Sequence, residues 1–343
     1  MTRGVIMDID ERFRIIMRNT EEVLTPEDLK QVLEQDRVSA YYGTAPTGPV
    51  HIGYFATLGK MFDLQSAGVE TIVLIADVHA AMDDLKTKWE EIDLKAEYYE
   101  RCFELAFPWK VKPRFVRGSS FQMTTDYLRD VLRASTFTTV KRAQRAASEV
   151  TRMKNPKVSE LIYPLMQALD EEYLKVDIQL GGREQRHIFA LARELLPQLG
   201  YKKRVEIMMP LMASLKGPGT KMSASIPDSH IKVYESEESI RRKIRKAYCP
   251  EGVVKDNPIV QMCKYIIFPL MGSMKIERPE KYGGDLEFNS YEELEEVYLK
   301  KELHPMDLKN AVADYLSEIL KEVRSYFEKH RDLLEELGEE FLP

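Results

Sequence analysis

The chain has 343 residues, of which 44% are hydrophobic and 31% charged, a balance typical of a soluble globular protein with room for two domains of ~150 residues. Its 50 basic and 56 acidic residues give a formal charge of −6, which provides no overall attraction to nucleic acid. The apolar runs 71–76 and 265–271 are far shorter than the ~20 residues of a membrane span, and the first residues contain no apolar signal core, so we expect a cytoplasmic protein with no membrane association.

Cysteines and clustered charges narrow the function classes further. The cysteines, Cys102, Cys249 and Cys263, are widely separated, which predicts reduced thiols and argues against a disulfide framework or a zinc site. Because the net charge is acidic, binding of nucleic acid would depend on local basic clusters, although such a run is more often a solvated helix face. These clusters are 141–154 (Lys141, Arg142, Arg145, Arg152 and Lys154), 202–204 and 241–246.

Strand-like and helix-like patterns alternate through the first two thirds of the chain. The β-prone run 39–43 is followed by a Pro/Gly turn at 46–49 and a helical pattern over 51–67. The run 71–76 is apolar and rich in β-branched residues, as in a strand that is buried on both faces of a parallel sheet. Repeated βα units of this kind predict an α/β protein with a doubly wound, Rossmann-like parallel sheet, whose ligand lies at the carboxyl ends of the strands. The further predicted elements are helix at 89–107, strand at 112–117, helical structure at 121–154, helix at 158–174 and strand at 176–180.

The last third of the chain shows almost continuous helical periodicity. This change of pattern predicts two domains, a sheet domain at 1–234 and an all-helical domain at 235–343. The helical patterns of the second domain cover 235–248, 258–271, 290–300 and 305–337.

The segment 45–54 leads from a strand through a Gly/Pro turn into a helix whose first turn carries His51. A helix start offers free backbone N–H groups and a positive dipole end, which suits phosphate. His51 adds a donor for a phosphoryl oxygen, and Gly53 lets a flat adenine or ribose approach the backbone. Taken alone, the segment is equally compatible with an ordinary strand–helix turn.

The segment 217–225 is a glycine-flanked loop that presents Lys221 with the hydroxyls of Ser223 and Ser225. A lysine ammonium on such a loop can follow charge as it develops on a transferring phosphate, although an isolated loop lysine is most often solvent-facing. The two segments lie about 170 residues apart in this order. Together they resemble the HIGH and KMSKS signatures of class I aminoacyl-tRNA synthetases.

Within that class, the intervening sequence resembles the tyrosyl-tRNA synthetases of the archaeal and eukaryotic type, and the resemblance extends from about Glu22 to Phe327. Tyr54 replaces the final histidine of HIGH, and Ala224 replaces the second lysine of KMSKS. These departures leave open which residue, if any, supplies the missing cation. The matching stretches are 39–43, 75–80, 163–170 and 181–186, with 281–285 and 304–310 similar to that family's anticodon-binding region.

The amino-acid pocket is where spacing and resemblance agree. Tyr163, Gln167 and Asp170 are spaced i, i+4, i+7, which places them on one face of a helix, and their apolar neighbours favour burial. The resemblance implies that Tyr41 and Asp170 bind the phenolic hydroxyl of tyrosine. It further assigns the α-amino end to Tyr163, Gln167 and Gln185, places His79 in the pocket, where a purely structural role stays open, and places Gln122 beside it.

The resemblance implies ATP-dependent ligation of L-tyrosine to tRNA(Tyr) through tyrosyl-adenylate. His51 and Lys221 would stabilise the transition-state oxygens, Ser223 and Ser225 would assist, and Mg²⁺ would arrive with ATP rather than in a carboxylate cage. The implied ATP-binding residues also include Gly43, Pro46, Gly48, Gly53 and Met222.

For tRNA, the resemblance places an insertion at about 118–160 that forms the interface of a homodimer and touches the acceptor stem. Each tRNA would then be bound across both subunits. In the anticodon-binding domain at 235–343, Tyr282 and His304 would stack on a base while Asp307 accepts hydrogen bonds from guanine. The implied acceptor-stem contacts are Lys141, Arg142, Arg145 and Arg186.

Two alternatives stand beside this interpretation. A tryptophanyl relative shares both signatures, but a buried Asp170 opposite an indole ring would be poorly satisfied. A catalytically silent paralogue that binds tRNA or adenylate is disfavoured by the intact His51, Lys221, Gln185 and Asp170. The last residues, 328–343, predict only a charged helix.

Overall fold

The computed structural model describes residues 7–83, 87–149 and 155–343, so Arg152 and Lys154 of the first basic cluster lie outside the described residues. This described part divides into two compact units. No helix in it is both long and apolar enough to cross a membrane. Unit 1 takes its residues from 1–47, 60–100 and 111–210, and unit 2 takes its residues from 48–59, 101–110 and 211–343.

Strands and helices alternate along most of the described chain. The strands are β1 (Glu22–Leu24), β2 (Ser39–Thr44), β3 (Glu70–Ile75), β4 (Arg114–Arg117), β5 (Ile178–Gly182), β6 (Val205–Met209), β7 (Ala213–Ser214), β8 (Gly217–Lys221), β9 (Met274–Ile276) and β10 (Leu286–Phe288). The α-helices are α1 (Ile9–Met17), α2 (Pro26–Leu33), α3 (Phe55–Leu58), α4 (Lys60–Ser66), α5 (Asp77–Met82), α6 (Ile92–Ala106), α7 (Ser119–Gln122), α8 (Thr125–Phe137), α9 (Val140–Ala147), α10 (Val158–Tyr173), α11 (Arg186–Gln198), α12 (Glu237–Lys246), α13 (Pro258–Met262), α14 (Phe268–Met271), α15 (Tyr291–Leu299), α16 (Pro305–Ile319), α17 (Lys321–Lys329) and α18 (Arg331–Leu337).

Within the described residues of unit 1, six strands form a sheet in the order β1-β6-β5-β2-β3-β4. Strands β2 to β6 run parallel to their neighbours, and β1 pairs antiparallel with β6. β5 and β6 are buried along their whole length, as expected for a sheet that is covered on both faces. The chain moves outward from β2 to β4 and then returns to the other side of β2. The predicted Rossmann-like sheet is confirmed, and the reversal beside β2 marks where a ligand is expected.

Several helical patterns that look continuous in sequence are interrupted in the structure. The pattern at 51–67 comprises a 3₁₀ turn at Ile52–Tyr54, then α3 and α4. The region 121–154 contains α7, α8 and α9, and α9 begins where the Thr139 side chain accepts a hydrogen bond from the Arg142 amide. The pattern at 305–337 is divided into α16, α17 and α18. Hydrophobic periodicity does not reveal such breaks when the apolar residues of the next helix continue the same spacing after a short cap.

Unit 2 corrects two details of the sequence analysis. The C-terminal part is mainly helical, but β9 pairs antiparallel with β10, so it is not all-helical. The predicted loop at 217–225 begins as β8, which pairs with β7. Gly217 and Gly219 adopt φ values of +99° and +93°, which residues other than glycine rarely adopt. Strands this short show no alternation that a sequence pattern could register.

The compact units also differ from the predicted boundary at 234/235. The division falls at 210/211, and 48–59 groups with the C-terminal part. The physical reason is backbone pairing, since the Ile52 amide donates to the Ile231 carbonyl at 2.9 Å and the Val233 amide donates to the Val50 carbonyl at 3.1 Å. The assignment of functions to the two predicted domains remains a prediction.

The last residues form more than a charged helix. After α18, a 3₁₀ turn at Glu339–Phe341 places the Phe341 side chain in the core, where it is fully buried. The Tyr234 hydroxyl donates to the Phe341 carbonyl at 2.7 Å, and Lys232 Nζ donates to the Glu340 carbonyl at 2.8 Å. The tail is therefore fastened to the segment 232–234.

Candidate active site

Helix α10 supplies the centre of a polar pocket in unit 1. Its carboxylate Asp170 is 1% exposed, whereas Tyr163 and Gln167, on the same face, are half-buried. Asp170 Oδ1 accepts hydrogen bonds from Gln122 Nε2 at 2.8 Å and from the Tyr127 hydroxyl at 2.7 Å. These donors hold the carboxylate in a fixed orientation while Oδ2 keeps capacity for a further donor.

His79 completes this network from α5. Gln122 Nε2 lies 3.2 Å from His79 Nδ1, and His79 Nε2 lies 4.0 Å from Asp170 Oδ2. Burial lowers the pKa of His79 to about 4, so this imidazole is neutral at pH 7. Burial also raises the pKa of Asp170 to about 7, although its hydrogen bonds to Gln122 and Tyr127 oppose the increase. The pocket therefore contains a carboxyl group that is near its midpoint at neutral pH.

Tyr41 reaches the same pocket from β2. Its hydroxyl lies 3.5 Å from the Gln167 carbonyl, and burial, with the negative charge of Asp170, raises the pKa of the phenol well above its usual value. The phenol therefore stays neutral and can donate or accept. At the other side, Gln167 Nε2 donates to Gln185 Oε1 at 2.9 Å, and the Tyr163 ring meets the His79 ring edge-on at 4.5 Å.

Unit 1 thus brings together the residues predicted to bind tyrosine. These residues are Tyr41, His79, Gln122, Tyr163, Gln167, Asp170 and Gln185.

Sequence reasoning missed Tyr127 and Asp77. Tyr127 is fully buried in α8 and donates to Asp170. These two residues are 43 positions apart, and no sequence pattern indicates that they meet. Asp77 begins α5, and its Oδ1 accepts from the Ser119 amide at 2.7 Å while its Oδ2 accepts from the Ser119 hydroxyl at 2.5 Å. Asp77 thereby holds the start of α7, the helix that carries Gln122. Its place directly after a predicted buried strand is the one sequence signal that could have identified it.

Unit 2 contains the predicted phosphate-binding residues His51 and Lys221. His51 Nδ1 accepts from the Gly53 amide at 3.1 Å, so the ring proton lies on Nε2. A Cβ on Gly53 would lie 2.7 Å from His51 Cε1, so any larger residue there would displace this imidazole. Lys221 is exposed at the end of β8, and the next residue, Met222, is buried.

The serines after Lys221 form a local hydrogen-bond network. Ser223 Oγ and Ser225 Oγ lie 3.1 Å apart. Ser229 Oγ donates to the Ser223 carbonyl at 2.7 Å and is the acceptor for the Ser223 amide at 3.4 Å. A Cβ on Gly48 would lie 3.5 Å from Ala224 Cβ, so Gly48 of the first signature segment lies close to Ala224 of the second. Gly48, His51, Gly53, Lys221 and Met222 belong to unit 2, whereas Gly43 and Pro46, also predicted to bind ATP, belong to unit 1.

The residues predicted to contact the acceptor stem divide into exposed and ion-paired groups. Lys141 and Arg145 are exposed on α9. Arg142 forms an ion pair with Glu194 at 2.9 Å, and Arg186 forms one with Glu22 at 2.8 Å. A phosphate would therefore have to compete for these last two guanidinium groups.

The residues predicted to contact the anticodon lie in unit 2. Tyr282 is 61% exposed, with Lys281 Nζ 4.8 Å from its ring centre. His304 Nδ1 accepts from the Met306 amide at 3.1 Å, so its ring caps α16. Asp307 lies in the first turn of α16, and its carboxylate has no hydrogen-bond or ion-pair partner among the described residues.

Exposed apolar side chains cluster in sequence on α8, α9 and the start of α10. A solvated helix surface rarely carries so many large apolar groups. They are Leu128, Leu132, Phe137, Val140 and Val158.

Comparisons with known proteins place these observations in a family. Residues 33–321 match the family of class I tRNA synthetases for tryptophan and tyrosine. The chain is 47% identical over 320 residues to the tyrosine–tRNA ligase of Archaeoglobus fulgidus, covering 93% of this chain and 98% of that protein. It is 48% identical over 316 residues to the tyrosine–tRNA ligase of Methanocaldococcus jannaschii, covering 92% and 99%. It is 40% identical over 351 residues to the cytoplasmic tyrosine–tRNA ligase of Saccharomyces cerevisiae, covering 98% and 89%.

Solved structures give the same result. The tyrosyl-tRNA synthetase of Archaeoglobus fulgidus, crystallised with L-tyrosine, matches with a TM-score of 0.89 and 46% identity over 93% of this chain and 99% of that one. The tryptophanyl-tRNA synthetase of Aeropyrum pernix matches with a TM-score of 0.69 and 21% identity over 92% and 84%. This second likeness shows a shared fold alone.

Proposed function

Because this chain belongs to the class I tRNA synthetases for tryptophan and tyrosine and ligates tyrosine to tRNA, we propose which of its residues perform each step. In the first step, the tyrosine carboxylate attacks the α-phosphorus of ATP, the bond to the β-phosphate oxygen breaks, and pyrophosphate leaves. Positioning and stabilisation of charge supply most of the catalysis, and no protein nucleophile is needed. In the second step, the 2′-hydroxyl of the terminal tRNA ribose attacks the adenylate carbonyl and AMP leaves.

The unit 2 residues act on the phosphates. His51 offers its Nε2–H, and Lys221 offers an ammonium on a short hairpin, to oxygens whose charge increases in the transition state. Ser223 and Ser225 add hydroxyl or backbone donors beside Lys221. Mg²⁺ would enter bound to the phosphates of ATP and would partly neutralise their negative charge.

The unit 1 pocket selects the amino acid. The observation that carries the proposal is the buried carboxyl group of Asp170, held by Gln122 and Tyr127, with the Tyr41 phenol in the same pocket. A ligand hydroxyl placed there would complete the hydrogen bonding, whereas a phenyl or indole ring would leave buried polar atoms without partners. The structural relative that was crystallised with L-tyrosine supports this assignment.

Amino-acid-dependent exchange of labelled pyrophosphate into ATP tests this function. We expect exchange with tyrosine and little with phenylalanine or tryptophan. A preference for tryptophan would replace the tyrosine assignment by the tryptophanyl one. Exchange with none of the three would favour a silent paralogue.

We further propose that tRNA(Tyr) is bound by a homodimer in the cytoplasm. The exposed apolar side chains of α8–α10 support the dimer, the exposed Lys141 and Arg145 support acceptor-stem contacts, and the yeast relative is named as cytoplasmic.

Leu132, which is 68% exposed, is the residue whose substitution tests the dimer most directly. Leu132→Asp should give a monomer by sedimentation velocity, whereas Lys112→Asp, a charge change on another exposed part of unit 1, should leave the dimer intact. A parent protein that sediments as a monomer would contradict the proposal.

A further inference from the structure

His230 lies beside His51 in unit 2 and has no role in the mechanism so far. The backbone pairing of 50–52 with 231–233 brings the two side chains together, and their ring centres lie 5.3 Å apart. His230 is 6% exposed and His51 is 9% exposed. Two largely buried imidazoles thus lie side by side.

The charges around this pair favour an anion. Lys221 and His230 both disfavour a proton on His51, whose pKa is lowered to about 3 chiefly by burial. Burial also lowers the pKa of His230, with Lys243 and Lys232 acting in the same direction and Glu235 opposing them.

Glu235, the carboxylate beside these bases, is already engaged. Its Oε1 accepts from Lys243 Nζ and from the Lys232 amide, and its Oε2 accepts from Ser239 Oγ. Glu235 therefore forms no ion pair with His230 among the described residues.

Position 54 does not supply a second base. Tyr54 replaces the final histidine of the first signature, and its ring packs against His51 at 5.0 Å and edge-on against Phe103 at 5.4 Å. A phenol held in an aromatic contact cannot carry positive charge. A second imidazole nevertheless adjoins His51, contributed from a position 179 residues further along the chain.

We propose that His230 is a second phosphate-binding imidazole of this enzyme, which acts with His51 on the pyrophosphate part of ATP. The inference rests on the proposed role of His51. His51, whose Nδ1 accepts from the Gly53 amide, donates its Nε2–H as a neutral ring. The negative charge of the phosphates favours protonation of the His230 ring, so that binding takes up a proton from the solvent. The His230 imidazolium and the His51 Nε2–H together stabilise the pyrophosphate as it leaves.

Inorganic pyrophosphate is the probe that tests this proposal. Isothermal titration in buffers of different ionisation enthalpy measures both its affinity and the number of protons taken up. For His230→Gln we expect roughly tenfold or greater loss of pyrophosphate affinity, reduced proton uptake and slower adenylate formation, with the dissociation constant for tyrosine unchanged. His330→Gln removes an imidazole elsewhere in unit 2 and should behave as the parent.

The outcomes separate this inference from the proposed function. If His51→Gln weakens pyrophosphate binding but His230→Gln changes neither affinity nor proton uptake, the role of His230 is refuted and that of His51 stands. If neither variant has an effect, the phosphate site itself is misplaced.

A measurement on the parent protein covers the case in which His230→Gln does not fold. Nitrogen-15 NMR of the histidine rings should show His230 moving toward the protonated form as pyrophosphate is added, while His51 stays a neutral Nε2–H tautomer. An unchanged His230 signal would overturn the proposal.

Discussion

The pocket around Asp170 and the cluster around His51 are proposed to bind chemically different groups, a neutral phenol hydroxyl and the phosphates of ATP. In the pocket, the polar groups hold one another in place, through the bonds from Gln122 and Tyr127 to Asp170 and from Gln167 to Gln185. Among the described residues, His79 Nε2 and Gln122 Oε1 nevertheless have no hydrogen-bond partner. In the cluster, burial, His230 and Lys221 all lower the pKa of His51. We therefore expect a neutral hydroxyl to complete a network that already orients its partners, whereas the phosphates are bound by donors from separate segments of unit 2.

The largest expected effect concerns the network. Asp170→Ala should lower the ratio of kcat/KM for tyrosine over phenylalanine, because unpartnered polar groups penalise the ligand that lacks the hydroxyl. Tyr41→Phe should lower it less, since Asp170 in its ionised form is a stronger hydrogen-bond acceptor than the Tyr41 phenol. Tyrosyl-tRNA synthetases are themselves the reference case of this principle, at roughly 10⁵-fold without editing, a magnitude that belongs to the family rather than to this chain.

Pyrophosphate exchange with each amino acid, on variants shown to be folded, measures this ratio. Tyr201→Phe removes a hydroxyl from the same unit outside the pocket and serves as the control. If Asp170→Ala and Tyr41→Phe both keep the parent's preference, the hydroxyl is read elsewhere.

The next effect concerns the cluster. Lys221→Ala should slow adenylate formation by roughly 10²-fold, as for loss of one transition-state donor, while the affinity for tyrosine stays nearly unchanged. The reason is that an exposed lysine on a hairpin contacts phosphate most strongly as charge develops. Single-turnover kinetics measure the rate, with Lys216→Ala, also exposed and near this hairpin, as the control. Equal rates for Lys221→Ala and the parent would remove Lys221 from the mechanism.

A smaller effect is expected far from both regions. Asp307→Ala should weaken aminoacylation of tRNA by about 1–3 kcal/mol, the usual worth of base-reading hydrogen bonds, without changing adenylate formation. Asp307 is a suitable probe because its carboxylate has no partner within the described ranges. Aminoacylation of tRNAs with and without guanine at the first anticodon position gives the measurement. Parent-like discrimination between them would exclude Asp307 from recognition.

The smallest effect separates the two regions by their response to pH. An unfolded Asp has a pKa of ~3.9, whereas burial raises the pKa of Asp170 to about 7 in the folded protein. Between these two pH values the folded protein therefore binds a proton that the unfolded chain does not. The stability that this proton gives is present below about pH 4 and is lost as the pH rises to about 7.

Asp170→Asn removes the buried charge and should therefore raise Tm by a few degrees more at pH 8 than at pH 4. Calorimetry at the two values measures the difference, with Asp307→Asn as the surface control. A pH-independent difference for Asp170→Asn would show that the carboxyl group titrates normally.

The sequence predicts those features of the fold and the site that depend on residues close together in the chain, and it does not predict contacts between distant segments. The run 71–76 predicted a buried strand because burial on both faces is recorded in consecutive residues, and Tyr163, Gln167 and Asp170 were grouped by helical spacing. The hairpin of β9 and β10 is too short for a pattern. The bonds of Gln122 and Tyr127 to Asp170, and the contact of His230 with His51, depend on how distant segments pack. Family resemblance supplied Gln122, but position 230 lies outside both signatures.

The fastening of the C-terminal tail gives the enzyme a point of vulnerability outside either site. Phe341 and Glu340 hold Tyr234 and Lys232, and these residues closely follow His230. Cleavage at His330 would release the C-terminal segment that contains Glu340 and Phe341, and we expect the backbone pairing beside His51 to loosen. The cleavage would remove no residue with a proposed chemical role. Limited proteolysis that trims the tail should therefore impair the use of ATP before it impairs the binding of tyrosine.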